Sequence, residues 1–189
     1  GEEEIVLKSI KKIIKKLDKV ILIIQPRHPQ RSGKIRKIIK KYDFNIKQRS
    51  LNEYPEKSTK VYLADTFGES GTLIALSDLI ILGGTLTPVG GHNIIEPAQF
   101  SKCIILGEYC SKIQDTVNIL KKYKAVKQIN TNSKLSELIY QLYNDKKEIK
   151  NIGKKAFSIT RKFPSKEKNI VNQIISLANN ENSKILVQK

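Results

Sequence analysis

Short aliphatic and β-branched runs alternate along this chain with stretches of helical periodicity, and that alternation narrows its possible folds more than any other feature. Val20-Ile21-Leu22-Ile23-Ile24, Val61-Tyr62-Leu63-Ala64, Leu79-Ile80-Ile81-Leu82 and Cys103-Ile104-Ile105-Leu106 are apolar on both faces, as strands covered on both sides must be. Asn45 to Ser50 and Ala125 to Ile129 read as two further strands, the first of them weak. Helical spacing fills the intervals: Glu2 to Leu17, the turns around Ile35, Ile38 and Ile39, Gly71 to Ser77, Ile94 to Phe100 and Ile113 to Tyr123. It continues over Leu135 to Tyr143, from about Lys146 to Arg161 and from Lys166 to Ala178, and the tail after Asn179 reads as loosely ordered. Strand and helix repeated at this spacing specify parallel crossovers, so the fold class is α/β: a Rossmann-like doubly wound parallel sheet of about six strands. At 189 residues, burial of roughly 70% of the unfolded surface is expected, which suits a single domain over residues 1–189.

Charge points to the kind of partner without naming it. Thirty-five Lys and Arg residues stand against 18 Asp and Glu, and the formal charge of +17 favours an anion, whether nucleic acid, phospholipid surface or phosphorylated substrate. Many of the lysines interleave with Val6, Ile10, Ile13 and Leu17 and read as the solvated face of an amphipathic helix. No run approaches the ~20 apolar residues that span a bilayer. Cys103 and Cys110 are too few for a disulfide scaffold, so a reducing compartment is expected. The chain opens on Gly1, as a part of a longer protein would.

Three of the four buried runs end in loops whose residues carry chemistry. The first, Gln25-Pro26-Arg27-His28-Pro29-Gln30-Arg31, sets up to three cationic or donor groups on a turn stiffened by two prolines. The second, Asp65-Thr66-Phe67-Gly68-Glu69-Ser70, brings two carboxylates that either bind a hydroxyl or cap a turn. The third, Gly83-Gly84-Thr85-Leu86-Thr87-Pro88-Val89-Gly90-Gly91-His92-Asn93-Ile94-Ile95-Glu96-Pro97, has four glycines ahead of a helix. Glycines allow close backbone approach, and N–H groups at a helix start attract anionic or hydroxyl-bearing ligands. It is neither a Walker loop nor a dinucleotide fingerprint. Asn93 and Glu96 stand at capping-box spacing, yet Pro97 directs Glu96 toward a cleft, where a carboxylate can accept the hydroxyls of a ribose. Phosphate plus ribose is the simplest ligand that uses all three loops. Two histidines are too few to argue a metal site.

These loops resemble a known family. Pro26-Arg27-His28-Pro29-x-Arg31, Asp65-Thr66-x-Gly68-Glu69 and Gly90-Gly91-His92-Asn93-x-x-Glu96-Pro97 look like the signatures of the donor-binding half of 3-deoxy-D-manno-octulosonic acid (Kdo) transferases, and Gly1-Glu2-Glu3 resembles the end of that family's Thr-His-x-Gly-Glu-Glu segment. The resemblance implies the C-terminal half of a two-domain GT-B glycosyltransferase, with the N-terminal acceptor domain and its catalytic carboxylate absent from this chain. It implies inverting transfer of Kdo from CMP-Kdo to a lipid A precursor in lipopolysaccharide biosynthesis, with no cofactor or metal. The setting it implies is the cytoplasmic face of the bacterial inner membrane, the protein being peripheral or anchored through the N-terminal part. Donor contacts would come from Arg27, His28, Arg31, Gly68, Glu69, Gly83, Gly84, Gly90, Gly91 and His92, with Asn93 and Glu96 on the CMP ribose. The fragment alone would be inactive. Gln30, Phe67, Ser70, Glu108 and Ser111-Lys112 depart from the residues usual in the family.

Two other readings compete. Another GT-B transferase using a UDP-sugar would share the fold. A basic nucleic-acid-binding module would account for the charge, but the chain has no helix-turn-helix, zinc-finger spacing or RNP aromatic motif. A dinucleotide-binding domain fits less well, because Pro-Arg-His-Pro stands where a pyrophosphate-binding Gly-x-Gly belongs.

Overall fold

A computed structural model describes residues 1–17, 19–163 and 173–177. Six strands form: β1 (Leu22–Ile24), β2 (Ile46–Gln48), β3 (Val61–Leu63), β4 (Leu79–Ile81), β5 (Cys103–Leu106) and β6 (Lys127–Gln128). The helices before, between and after them are α1 (Glu2–Ile13), α2 (Ser32–Lys41), α3 (Ser70–Leu76), α4 (Ile95–Gln99), α5 (Gln114–Lys122), α6 (Leu135–Asn144) and α7 (Lys146–Thr160). Residues 14–16, expected to continue the first helix, instead tighten into a 3-10 turn before Leu17 becomes extended. Of the helix expected over 166–178, residues 173–177 are described and are helical, and the tail after Asn179 lies outside the described residues.

All strand pairs are parallel, as expected, but they divide into two three-stranded sheets, β1-β3-β2 and β4-β5-β6, where a single sheet of about six was expected. Within them Ile23 pairs with Tyr62 and Ile80 with Ile104. No strand ladder joins β1 to β4 among the described residues. The order within the first sheet follows from burial. β3 is buried at all three positions and takes the centre, while β2, with Lys47 and Gln48 in its three residues, takes an edge.

Two apolar cores lie on opposite faces, and β5 divides its side chains between them. Cys103 and Ile105 join Leu7, Ile10, Ile35, Ile39, Leu63, Leu135 and Ile139, which come from α1, α2, β3 and α6. Ile104 and Leu106 join Ile94, Ala98, Val117, Leu120 and Ala156, from α4, α5, α7 and the segment before α4. Successive strand residues point to opposite faces, so a four-residue run with no exposed side is what a doubly covered strand requires. Leu22 and Ile24 of β1 and Leu79 and Ile81 of β4 pack on the first core, so the two sheets share it although their backbones do not pair. Each fully buried Leu or Ile contributes roughly 1.5–3 kcal/mol.

Among the described residues no helix is long and apolar enough to cross a membrane. Both cysteines are buried as free thiols, and burial pushes Cys103 up to about 12, so it stays protonated.

Candidate functional site

At the carboxyl ends of β1, β3 and β4 the three loops meet, and side chains tie them together. The loop after β1 reaches the loop after β3 through Gln25, whose Nε2 donates to Ser70 Oγ at 2.7 Å. It reaches the glycine loop through Arg27, whose Nη1 lies 3.3 Å from Nδ1 of His92. That contact puts an exposed guanidinium beside a half-buried imidazole. Burial holds His92 below its usual pKa, and the charges of Arg27, Lys112 and His28 act in the same direction against the opposing Glu2 carboxylate. His92 is therefore neutral near pH 7, and its Nδ1 can accept from Arg27.

The glycine loop owes its shape to residues that only glycine replaces without strain. Gly84, Gly90 and Gly91 have φ of 76°, 102° and 91°. The carbonyl of Gly84 accepts from the amides of both Gly90 and Gly91, at 3.0 and 2.7 Å, and the carbonyl of Gly83 accepts from His92 N at 3.0 Å. A Cβ on Gly83 would stand 3.0 Å from the His92 ring, so the ring lies directly over that glycine. Backbone approach, expected for a ligand, is thus already used within the loop to seat His92.

Sequence reasoning overlooked two contributors. Glu2 of α1 reaches across the fold: its Oε2 accepts from Gly84 N at 2.7 Å and its Oε1 from Leu86 N at 2.8 Å. Lys112 comes from the loop after β5. Its amide donates to Gly90 O at 2.9 Å, and its side-chain methylenes would meet a Cβ on Gly90 at 2.9–3.2 Å. The Glu-Glu pair at the chain start and the departure at Ser111-Lys112 were the available signals, but neither says which loop it touches.

Several other expected residues are held by partners of their own. Arg31 pairs with Glu3 of α1 at 2.9 Å. Glu69 accepts from Arg49 Nε at 3.0 Å and from the Thr66 hydroxyl, and these bonds, the Thr66 one foremost, hold its carboxyl below the usual range. Gly68, with φ of 84°, shapes that turn in open space. Asp65, read from the sequence as a hydroxyl ligand or a turn cap, is 5% exposed and accepts from Gln48 Nε2, Ser50 N and Ser50 Oγ at 2.7–3.0 Å. Burial alone would raise its pKa, but those bonds outweigh it and leave the carboxyl lowered, a structural anion. Asn93 Oδ1 accepts from Ile95 N at 3.0 Å, an Asx turn that leads into α4. The side chain of Glu96 is half-buried and makes no hydrogen bond among the described residues, and Asn93 takes Ile95 N and not Glu96 N, so a capping box does not form. His28 is exposed beside Arg27.

Charge balance separates one arginine from its neighbours. Arg31, Arg36 and Arg49 each hold a carboxylate, whereas Arg27 holds none among the described residues. Away from these loops, a groove of about 880 Å³ beside β6 is lined by Lys121, Lys124, Lys127, Lys134 and Glu137 among others. Lys127 there is paired with Glu148 at 3.0 Å. No group of three or more His, Cys, Asp or Glu residues able to hold a metal ion occurs among the described residues.

No family model matches the chain. It is similar to the 3-deoxy-D-manno-octulosonic acid transferase of Haemophilus influenzae, 32% identical over 160 residues, covering 84% of this chain and 38% of that protein. The transferase of the same name from Rickettsia bellii is 31% identical over 178 residues, covering 93% of this chain and 41% of that protein. A bifunctional glycosyltransferase/methyltransferase of Fusobacterium nucleatum is 31% identical over 179 residues, covering 92% and 27%. The chain thus spans about two fifths of these two transferases, 38% and 41% of their lengths. Among solved structures, the C-terminal CMP-Kdo binding domain of WaaA from Acinetobacter baumannii superposes with a TM-score of 0.80 at 26% identity, covering 86% of this chain and 84% of that one. Sequence relatives and structural neighbour converge, and the chain belongs to the 3-deoxy-D-manno-octulosonic acid (Kdo) transferase family, matching its C-terminal domain.

Proposed function

We propose that this chain is the donor-binding domain of a Kdo transferase and holds CMP-Kdo against the Arg27–His92 pair. One observation carries the reading: Arg27, alone among the arginines of the first two loops and their supports, lacks a carboxylate and is free to take the donor's anion. Similarity to Kdo transferases and to a CMP-Kdo binding domain supports CMP-Kdo as the source of that anion. CMP-Kdo carries a phosphate and a carboxylate, and Arg27 and His28 from the loop after β1 and Lys112 from the loop after β5 offer it cationic or donor groups beside the glycine loop. Asn93 and Glu96 are assigned to the ribose. Glu96 has its carboxylate uncommitted, and Asn93 has its side-chain amide N–H groups left over after its oxygen takes Ile95 N.

In this reading the whole enzyme has a GT-B architecture, and a base on the other half takes the proton of an acceptor sugar hydroxyl. The hydroxyl oxygen bonds to the anomeric carbon of Kdo as the bond from that carbon to the phosphate oxygen breaks, and CMP leaves with the electron pair. Arg27 and its neighbours offset the charge that develops on the departing phosphate. No cofactor or metal is assigned. The acceptor is a lipid A precursor at the cytoplasmic face of an inner membrane, whose anionic surface suits a chain of charge +17.

Calorimetric titration of CMP, UMP, UDP and NAD into the purified chain tests the proposal. CMP binding in preference to the other three supports it, and a preference for UDP moves the chain to a different donor.

A further inference from the structure

We infer that Glu2 is a positioning residue for the site: its carboxylate, by holding the amides of Gly84 and Leu86, sets the glycine loop so that His92 faces Arg27. The inference rests on the donor-domain reading and adds a residue to it.

Gly84 is the hub of the loop. Its carbonyl gathers the amides of Gly90 and Gly91, and its own amide goes to Glu2 Oε2 at 2.7 Å, from a residue 82 positions earlier in the chain. The second oxygen of the same carboxylate takes Leu86 N at 2.8 Å, so the grip is two-pronged and fixes the peptide plane as well as its position. His92 follows Gly91 directly, returns its amide to Gly83, and lies with its ring over that glycine. A shift of Gly84 therefore moves the His92 ring relative to Arg27.

The neighbouring residue of α1 braces the other partner. Glu3, whose side chain is 12% exposed, pairs at 2.9 Å with Arg31, four residues beyond Arg27 in the first loop. The first turn of α1 is thus a common support for the two loops that carry Arg27 and His92. Acidic residues in a first helical turn also suit the helix dipole, but that account applies equally to Glu4, which is exposed. Of the three glutamates, Glu2 alone bonds to the glycine loop among the described residues.

The test compares Glu2→Ala, Glu2→Gln and, as a control, Glu4→Ala in the full chain, reading amide hydrogen exchange at Gly84 and Leu86, the His92 ring resonances and CMP affinity. In Glu2→Ala both amides should exchange about tenfold faster or more, the His92 ring signals should shift, and CMP affinity should fall about tenfold. Glu2→Gln, which keeps one acceptor oxygen and the side chain's shape, should lose less on each count, and Glu4→Ala should match wild type. Unchanged exchange at Gly84 and Leu86 overturns the inference, as does faster exchange with CMP bound as well as or better than by wild type. If the wild-type chain binds no CMP, the donor reading fails instead, and the exchange rates and His92 signals still decide whether Glu2 sets the loop.

Discussion

Arg27 Nη1 and His92 Nδ1 stand 3.3 Å apart although 65 residues separate them in sequence, so the loops after β1 and β4 share one polar centre. The imidazole leaves the guanidinium's positive charge uncancelled, and that uncancelled charge is what the proposed donor meets.

Replacing Arg27 by Ala should therefore weaken CMP binding by roughly tenfold to a hundredfold, the loss of one charge-assisted bond at about 1.5–3 kcal/mol. Stability should change little, because the side chain is exposed. Calorimetry beside urea unfolding measures both. Lys112→Ala should cost a few-fold in affinity, and the difference from wild type should shrink in high salt.

The His92 pKa should rise when CMP binds. Without ligand, burial and the charge of Arg27 keep it lowered, so the unfolded chain takes up the His92 proton at a higher pH than the folded one. The linked stability is therefore present above the unfolded value of about 6.5 and declines as pH falls below it toward the folded pKa. A bound phosphate beside Arg27 offsets the cationic field and favours imidazolium. Titrating the ring protons by NMR with and without CMP reads the direction.

Asp65 should behave as a structural anion. Asp65→Asn places an amide against at least one donor of Gln48 or Ser50 and should cost about 1–3 kcal/mol. With its folded pKa lowered, wild-type Asp65 stabilises the fold above its unfolded pKa of about 3.9, and this is lost as pH falls further through the folded value. The acid limb of a stability profile should accordingly flatten in the variant.

Two glycines should respond in opposite senses. A Cβ on Gly153 of α7 would stand 1.9 Å from Ser101 O, and the backbone there has no room to give, so Gly153→Ala should cost on the order of 3 kcal/mol or more. Gly33 in α2 has open space around it and an ordinary φ, so Gly33→Ala should gain roughly 0.5–1 kcal/mol. Urea unfolding midpoints give both.

The helices and strands were legible because each is written as a local pattern. Cys103-Ile104-Ile105-Leu106 has no polar face, and the structure covers it on both sides. The division into two sheets was not legible, since strand pairing is set by distant contacts and Val20 to Ile24 says nothing about which strand lies beside it. In the site, Arg27, His92 and the glycines announced themselves by type and spacing. The roles of Glu2, Asn93 and Asp65 did not, because a carboxylate or amide that binds the chain's own amides is written with the same letters as one that binds a ligand.

The most direct test of the donor site is a two-dimensional NMR titration of the chain with CMP, following the side-chain signals of Arg27 and His92 and the amides of Gly84, Gly90 and Gly91. Saturable shifts centred on these groups, with the residues beside β6 unmoved, are the expected result. Shifts centred on Lys121, Lys124 and Lys134 with Arg27 and His92 silent would place the nucleotide in the lysine groove and contradict the assignment.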